Sequence, residues 1–376
     1  APAVAVRTRE DYEDVLAAVG ACISVRIPVL LWGPPGAGKT SVIESASGLG
    51  WTVETLVISH YEPSDLAGLP LLEGGQVVLA PPGWAKRLAE VDTPAIAFFD
   101  EFSTASPALQ AAALRPLTHY RVGDLQLPAT VSFVAAANPA DVAAAGWELA
   151  APTANRFCHL DWDLPLEVYA ECLVSGAWPA LPVGPLPDGY DSVLDQQRAK
   201  IAGFLRARSS QLSKIPESAN DRGRAYPTPR TWDYAGRLSA YAIANGASDP
   251  VVRLLVAGCV GDLVAHEFLA FARMHDLPDP EDVLAGYYIF AGTKPDRTYV
   301  ILQSVLAAVQ RDPSPERWTA GVEACARAAI EVGIDPAVPV VRALLRPGAR
   351  PAAATLPAEI KVFAPVLALA GLLPNA

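Results

Sequence analysis

Residues 33–40 read Gly-Pro-Pro-Gly-Ala-Gly-Lys-Thr, which is a complete G-x-x-x-x-G-K-[ST] phosphate loop. The apolar run at 27–32, Ile-Pro-Val-Leu-Leu-Trp, has the length of a buried strand, and residues 39–44 can open a helix. A strand before the loop and a helix after it are the context that the motif requires. The alternative interpretation is an ordinary Gly-Pro-rich turn. In this context the sequence predicts a nucleoside triphosphate site.

The residues of the loop suggest how the phosphates are held. Backbone N–H groups made accessible by Gly36 and Gly38 can bind phosphates at the helix N-terminus. Lys39 can reach the β and γ oxygens, and Thr40 can ligate magnesium. The predicted nucleotide-binding residues are Gly33, Pro34, Pro35, Gly36, Ala37, Gly38, Lys39, Thr40 and Ser41.

A second apolar strand ends in two acidic residues. Residues 95–101 read Ala-Ile-Ala-Phe-Phe-Asp-Glu, the pattern of a Walker B element. An Asp at this strand end can hold magnesium, usually through water, and the adjacent Glu can orient and polarise the attacking water. Paired acids after an apolar run are, by themselves, typical of a solvated strand end. Because a phosphate loop precedes them, we predict Asp100 as a metal ligand and Glu101 as the catalytic base.

Length and composition indicate a large protein with a sizeable core. The chain has 376 residues, of which 51% are hydrophobic, so two or three domains are expected. No apolar stretch of about 18 residues occurs, and the basic-then-apolar order of a signal peptide is missing. We therefore expect a cytoplasmic protein without a membrane span. The five cysteines form no C-x-x-C pair and are interpreted as reduced core residues.

The charge distribution bears on nucleic-acid binding. A formal net charge of −11 disfavours wrapping duplex nucleic acid with the whole surface, because neutralising phosphates needs clustered Lys and Arg. The segment 198–237 nevertheless carries nine basic residues against three acids. A solvated helical face or a subunit contact is one interpretation of this segment, and a nucleic-acid patch is the other. The sequence favours the first without excluding the second.

Strand-like and helical patterns alternate up to about residue 163, which predicts an α/β domain with a parallel sheet and flanking helices. The five predicted strands cover 27–32, 52–58, 95–100, 131–137 and 157–161, and helices are predicted at 12–22 and 107–117. Beyond residue 164 the pattern is all-α, with helices separated by proline-rich connections. We predict a nucleotide-binding domain at 1–163, a helical lid at 164–246 and an additional helical region at 247–376.

Three further polar residues lie at element ends. Asn138 follows the fourth strand, where a side chain can touch the γ-phosphate or the attacking water, although an Asn-Pro turn is the common alternative. Arg156 stands just before the fifth strand, and Arg230 follows a proline at a helix start.

In this order the parts resemble AAA+ ATPases, and among them the MoxR and dynein-related branch, over roughly residues 5 to 245. The resemblance assigns Walker A to 33–40, Walker B to Asp100 and Glu101, sensor 1 to Asn138, the arginine finger to Arg156 and the sensor 2 arginine to Arg230. In that family the finger acts in trans. The resemblance therefore implies that Arg156 completes a neighbour's site in a ring, expected to be a hexamer.

Two segments in which glycines allow the chain to reverse direction support the assignment to this branch. Residues 62–80 resemble its helix-2 insertion, a hairpin that projects toward the substrate face of the ring, and residues 121–128 resemble the hairpin before sensor 1. Ordinary turns are the alternative for each. Two departures stand against the resemblance. Asn155 occupies a position where many relatives carry an acid, and the helices after residue 246 match no known lid pattern.

The resemblance implies a ring-forming, chaperone-like ATPase that uses ATP and Mg²⁺ to remodel or activate a protein partner. In MoxR-like systems that partner often carries a von Willebrand factor A domain. The alternatives are a nucleic-acid-stimulated motor or restriction-type NTPase, which the 198–237 segment would serve, and a scaffold that binds nucleotide without turnover. The phosphate loop reads phosphates and not the base, so its chemistry leaves ATP and GTP both open.

Overall fold

The computed structural model describes residues 8–139, 146–274, 277–346 and 348–369. They form two compact units. The first unit comprises the residues up to Asp188 together with Gln211–His266, and the second comprises Gly189–Ser210 and the residues from Glu267 onward. The predicted domain boundaries at 163 and 246 stay predictions.

The strands are β1 (Val29–Trp32), β2 (Thr52–Val57), β3 (Leu69–Glu73), β4 (Gln76–Ala80), β5 (Ala95–Asp100), β6 (Arg121–Val122), β7 (Leu125–Gln126), β8 (Val131–Ala137) and β9 (Cys158–Asp161). The helices are α1 (Arg9–Val25), α2 (Lys39–Glu44), α3 (Pro63–Ala67), α4 (Gly83–Glu90), α5 (Pro107–His119), α6 (Ala151–Ala154), α7 (Leu166–Ser175), α8 (Tyr190–Ala207), α9 (Ala219–Arg222), α10 (Pro229–Ala244), α11 (Asp249–Val260), α12 (Asp262–Arg273), α13 (Pro280–Leu284), α14 (Pro295–Arg311), α15 (Pro315–Glu331), α16 (Val338–Leu344) and α17 (Ala364–Leu369). Among the residues that the structure describes, no helix combines the length and the apolar character needed to cross a bilayer.

The central sheet of the first unit has five parallel strands in the order β2-β5-β8-β1-β9. Strand β8 is buried along its whole length and β5 up to its last residue, which explains their continuous apolar sequences. The predicted five-stranded P-loop sheet with flanking helices is confirmed. Because carboxyl ends of parallel strands share one edge, the phosphate loop, Asp100 and Asn138 all lie at that edge.

Local capping fixes the helices that cover the sheet. Helix α1 begins earlier than its apolar spacing indicates, because Thr8 and Asp11 form a reciprocal capping box. Helix α5 begins at Pro107, where the Ser106 hydroxyl accepts the N–H of Leu109 at 3.3 Å. Phenylalanines at 99, 102, 133 and 157 fill the core on one face of the sheet.

Two small hairpins join each other beside the sheet. Strands β3 and β4 connect through Gly74 and Gly75, both with positive φ, as a two-residue hairpin turn requires. The β6–β7 turn contacts this hairpin through Asp124, whose carboxylate accepts the N–H of Leu79 at 2.8 Å while its own N–H donates to the Leu79 carbonyl at 2.9 Å. At Gly68 any Cβ would lie 2.7 Å from the Cα of Gly123. The two hairpins are therefore fixed to one another.

The second unit is helical and has a core of its own around Trp318, which is fully buried. Its indole N–H donates to the Leu344 carbonyl at 3.0 Å, joining α15 to α16. The buried Asp195 of α8 pairs with Arg311 of α14, which makes α8 part of this unit. The all-α character predicted for the C-terminal region is confirmed for the described residues.

Candidate active site

Lys39 lies at the start of α2 and is only 7% exposed. Its Nζ donates to the carbonyl oxygens of Gly33 at 2.7 Å and Pro34 at 2.8 Å, and to Asn138 Oδ1 at 3.3 Å. Burial lowers the pKa of Lys39, and the nearby carboxylate of Asp100 opposes that shift. The ammonium group is thus held inside the loop by neutral oxygens, which a phosphate group can replace.

Two tryptophans pack directly against the phosphate loop. The indole N–H of Trp162 donates to the Ala37 carbonyl at 2.8 Å, and a Cβ at Gly33 would lie 2.4 Å from the carbonyl oxygen of Trp162. The ring of Trp178 lies against Gly38, where a Cβ would come within 2.6 Å of it. Both tryptophans thus pack against the loop. No motif or spacing marks them for this role.

The two predicted metal ligands meet at the sheet edge. Thr40 Oγ1 donates to Asp100 Oδ2 at 2.7 Å, which places a hydroxyl and a carboxylate oxygen together beside the phosphate loop. Oxygen donors of this kind are the ligands that Mg²⁺ prefers, alongside water and substrate phosphates. The residues present therefore fit a magnesium ion. The other oxygen of Asp100 accepts the N–H of Glu101 at 2.8 Å and so orients the carboxylate.

Glu101 follows β5 in a strained backbone conformation. Its φ of 56° lies in the left-handed region, which is uncommon for a side chain of this kind. The Thr104 hydroxyl donates to the Glu101 carbonyl at 2.8 Å, and the Ser59 hydroxyl donates to the Glu101 side chain at 3.2 Å. The side chain of Glu101 is exposed to solvent. Ser59 was missed from sequence because only the folded chain brings it to Glu101.

Asn138 connects β8 to the loop. Its amide oxygen accepts from Lys39, and its backbone N–H donates to the Ser103 hydroxyl at 3.2 Å. Ser103 lies in the short 3₁₀ helix Phe102–Thr104 that follows Glu101. The structure therefore brings together, at one edge of the sheet, the predicted loop residues, both acids and Asn138. The chemical role of each stays a prediction.

Arg156 lies at the other edge of the sheet. Strands β1 and β9 pair in parallel from Val29 with Cys158 to Trp32 with Asp161, so a residue before β9 is at the amino edge. Its guanidinium donates to the Thr118 hydroxyl and to the Pro152 carbonyl. Arg156 is therefore separated from its own phosphate loop by the length of the strands.

Arg230 accompanies Arg156 and not Lys39. Its Nη1 donates to Asn155 Oδ1 at 3.2 Å, directly beside the Arg156 backbone. Burial lowers the pKa of Arg156, and the charge of Arg230 lowers it further. In the described part of the chain no carboxylate pairs with either guanidinium. Two half-buried cations held only by neutral oxygens form a receptor suited to an anion from outside.

A chain of hydrogen bonds runs between the two edges. The indole N–H of Trp32 donates to His159 Nδ1 at 2.9 Å, and His159 Nε2 then donates to the Ala154 carbonyl at 2.9 Å. The guanidinium of Arg224 lies 4.1 Å from the centre of the Trp32 ring and bonds Asp161 at 2.9 Å. Burial lowers the pKa of His159 to about 4, although its bond to Ala154 favours the charged form. Sequence patterns gave no indication of this connection.

A cavity of about 280 Å³ lies between α1 and α7 and reaches Trp178. Its rim carries an ion pair between Arg9 and Glu171. Its wall includes Tyr12, which is 1% exposed and whose hydroxyl finds no hydrogen-bond partner among the described residues. A buried hydroxyl without a partner destabilises the fold.

Several basic residues of the 198–237 segment have partners within the protein. Arg208 pairs with Glu267, Arg224 with Asp161, and Arg237 donates to the Val25 carbonyl at 2.7 Å. The guanidinium of Arg206 lies 4.4 Å from the centre of the Tyr299 ring. These contacts favour a structural use of the segment over a nucleic-acid surface.

Comparison with known proteins gives one family. Residues 28–157 match the model of the AAA domain, dynein-related subfamily. No curated protein sequence matches the chain. Among solved structures, the chain is similar to a crystal structure from Cytophaga hutchinsonii ATCC 33406 of a protein proposed to be an ATPase, with 15% identity and a TM-score of 0.46, over 70% of this chain and 90% of that one. That likeness is too slight to bear on function.

Proposed function

We propose that this chain, which carries an AAA domain of the dynein-related subfamily in residues 28–157, hydrolyses ATP with Mg²⁺ as a MoxR-like ring, expected to be a hexamer. The cycle would remodel or activate a partner protein. The observation that carries the proposal is the meeting of Lys39, Thr40, Asp100 and Glu101 at one sheet edge. A scaffold that only binds nucleotide needs the loop and a magnesium ligand but has no use for Glu101 as a water-orienting carboxylate.

The first step is binding of the triphosphate by the loop. Backbone N–H groups around Gly36 and Gly38 bind the phosphates at the N-terminus of α2. Lys39 exchanges the carbonyl oxygens of Gly33 and Pro34 for the β and γ oxygens. Thr40 and Asp100 would hold Mg²⁺. When bound, the ion neutralises charge that develops on the phosphate oxygens.

The second step is attack by water. Glu101 accepts a hydrogen bond from the attacking water and orients it toward the γ-phosphate, while Asn138 contacts the γ-phosphate or the water. As the water oxygen bonds to the γ-phosphorus, the bond to the β–γ bridging oxygen breaks and ADP leaves. The exposed carboxylate and the Ser59 hydroxyl that orients it support this role for Glu101.

The site is completed by a neighbouring subunit. Arg156 lies too far from its own loop to act there, which supports action in trans on the neighbour's phosphoryl group. The position of Arg230 beside Asn155 supports a shared role for both guanidiniums, in place of a sensor 2 contact within the same subunit. An anionic nucleotide at the subunit boundary would provide the negative charge that this pair lacks.

The nucleobase and the partner protein have separate candidate places. The cavity beside Trp178 can receive the base, and the unpartnered Tyr12 hydroxyl can bond its edge. The β3–β4 hairpin exposes Leu69, Leu72 and Val77, which supports contact with a protein. A von Willebrand factor A domain is the partner expected from the resemblance.

Glu101→Gln is the first test. The variant is expected to bind ATP as the parent does while turnover falls by a factor of about 10²–10⁴. Glu90→Gln changes an exposed acid at the end of α4 and serves as the matched control. Parental turnover by Glu101→Gln would remove that residue from the mechanism. The same assay with added DNA or RNA tests the alternative motor, which requires stimulation with steep salt dependence.

A further inference from the structure

We propose that His159 is a positioning residue: it fixes the segment that carries Arg156 to the end of β1, and so ties the residue that a subunit offers its neighbour to that subunit's own phosphate loop. This rests on the proposed function, in which Arg156 acts on the neighbour's nucleotide.

The first contact is at the loop. Trp32 is the last residue of β1 and directly precedes Gly33, the first residue of the phosphate loop. Its indole N–H has His159 Nδ1 as acceptor at 2.9 Å. Arg224, bonded to Asp161, covers the indole ring and restricts its orientation. A displacement of the end of β1 would therefore move the imidazole or break its hydrogen bond to Trp32.

The second contact is at the arginine pair. His159 Nε2 donates to the carbonyl of Ala154, the last residue of α6, and Ala154 is followed by Asn155 and Arg156. Asn155 in turn accepts from Arg230 at 3.2 Å. The peptide oxygen that His159 holds is thus within two residues of Arg156 and of the amide that binds Arg230.

Both contacts are costly to lose. His159 is only 8% exposed, so breaking either bond leaves a nitrogen of a buried imidazole without that partner. Since Nδ1 accepts and Nε2 donates, one neutral tautomer satisfies both neighbours. His159 can keep both bonds only if Trp32 and Ala154 keep their separation, and this requirement couples the two edges of the sheet.

The test uses mixed rings. A donor subunit carries Lys39→Ala and keeps Arg156, and an acceptor subunit carries Arg156→Ala and keeps its loop. Each alone is expected to be inactive, while the mixture recovers turnover where a donor Arg156 meets an acceptor loop. Failure of this recovery counts against action in trans, and so against the proposed function, before His159 is changed.

His159 is then substituted in one subunit at a time. His159→Gln can place its amide N–H near the position of Nε2 and keep the bond to Ala154, whereas His159→Asn can place its oxygen near Nδ1 and keep only the bond to Trp32. In the donor, His159→Asn and His159→Phe are expected to lower kcat by about 10- to 100-fold without changing KM for ATP, and His159→Gln by less than about threefold. In the acceptor, His159→Asn and His159→Phe should lower kcat by clearly less than the same variants do in the donor.

Three results would overturn the proposal. If a His159 substitution lowered kcat equally in the donor and in the acceptor, the loss would reflect general damage to the fold, since the acceptor has no Arg156 to position. No loss from donor His159→Phe would show that the imidazole is dispensable. Equal loss from donor His159→Gln and His159→Asn would show that the Ala154 bond is not what matters, and this comparison decides the question if the Phe variant does not fold.

Discussion

Acidification should destabilise the first unit through His159, whether or not the protein is an ATPase. Burial lowers the pKa of His159 to about 4, from an ordinary value of 6.5. In the pH range between these values the unfolded chain binds a proton that the folded chain does not. The stabilising effect of the neutral imidazole is therefore complete above pH 6.5 and is lost as the pH falls toward 4.

The size of the effect follows from the pKa difference. A difference of about 2.5 units corresponds to about 3 kcal/mol over the whole range. Between pH 7.5 and 5.5, which stays above the sequence pI of 5.0, linkage gives a loss on the order of 1 kcal/mol from this residue. That is large enough to shift a urea midpoint measurably.

The assay is urea unfolding followed by tryptophan fluorescence at pH 7.5, 6.5 and 5.5. The wild-type free energy of unfolding should fall by about 1 kcal/mol more than that of His159→Phe, because other titrating groups cancel in the difference. His119→Phe, which replaces an exposed histidine, is the matched control. Equal slopes for the wild type and His159→Phe would refute the reasoning.

Two further substitutions test packing and the cavity. Gly258→Ala should destabilise the first unit by about 1–2 kcal/mol, because the new Cβ would lie 2.6 Å from the His159 carbonyl oxygen. Gly48→Ala is the control, since no atom lies within 4 Å of its new Cβ, and it should be neutral or slightly stabilising in the same urea titration. Tyr12→Phe should raise stability by about 1 kcal/mol, because it removes a buried hydroxyl without a partner. The same variant should raise KM for ATP if the cavity receives the base, and an unchanged KM would place the base elsewhere.

Features that depend on neighbours in the chain could be predicted from sequence. The phosphate loop combines a buried strand, glycines and a helix start within a few residues, and the strand ending in Asp100 is almost wholly buried, so its apolar run is continuous. The five-strand sheet followed from these local patterns.

Features that depend on tertiary contacts could not be predicted. Trp178 packs against Gly38 although the two are 140 residues apart in the sequence, and no periodicity in the sequence indicates this contact. The place of Arg230 next to Asn155 could not be predicted either, because it depends on residues 224–228 running back past β9 from Asp161 to Asn155. Its assignment to sensor 2 stays a prediction. Sequence reasoning can name candidate residues one at a time, but which of them lie together depends on tertiary contacts.

The union of the two hairpins has a consequence for solubility. Pro70 and Leu79 are paired across the β3–β4 hairpin, and neither has a backbone N–H free to bond another strand. Proline has no N–H, and that of Leu79 donates to Asp124. Between that pair and the turn, only Leu72 and Val77 could bond a further strand through their backbone groups. One such pair is too short a stretch for an added strand. The hairpin can thus display apolar side chains at high protein concentration without seeding sheet-to-sheet aggregation.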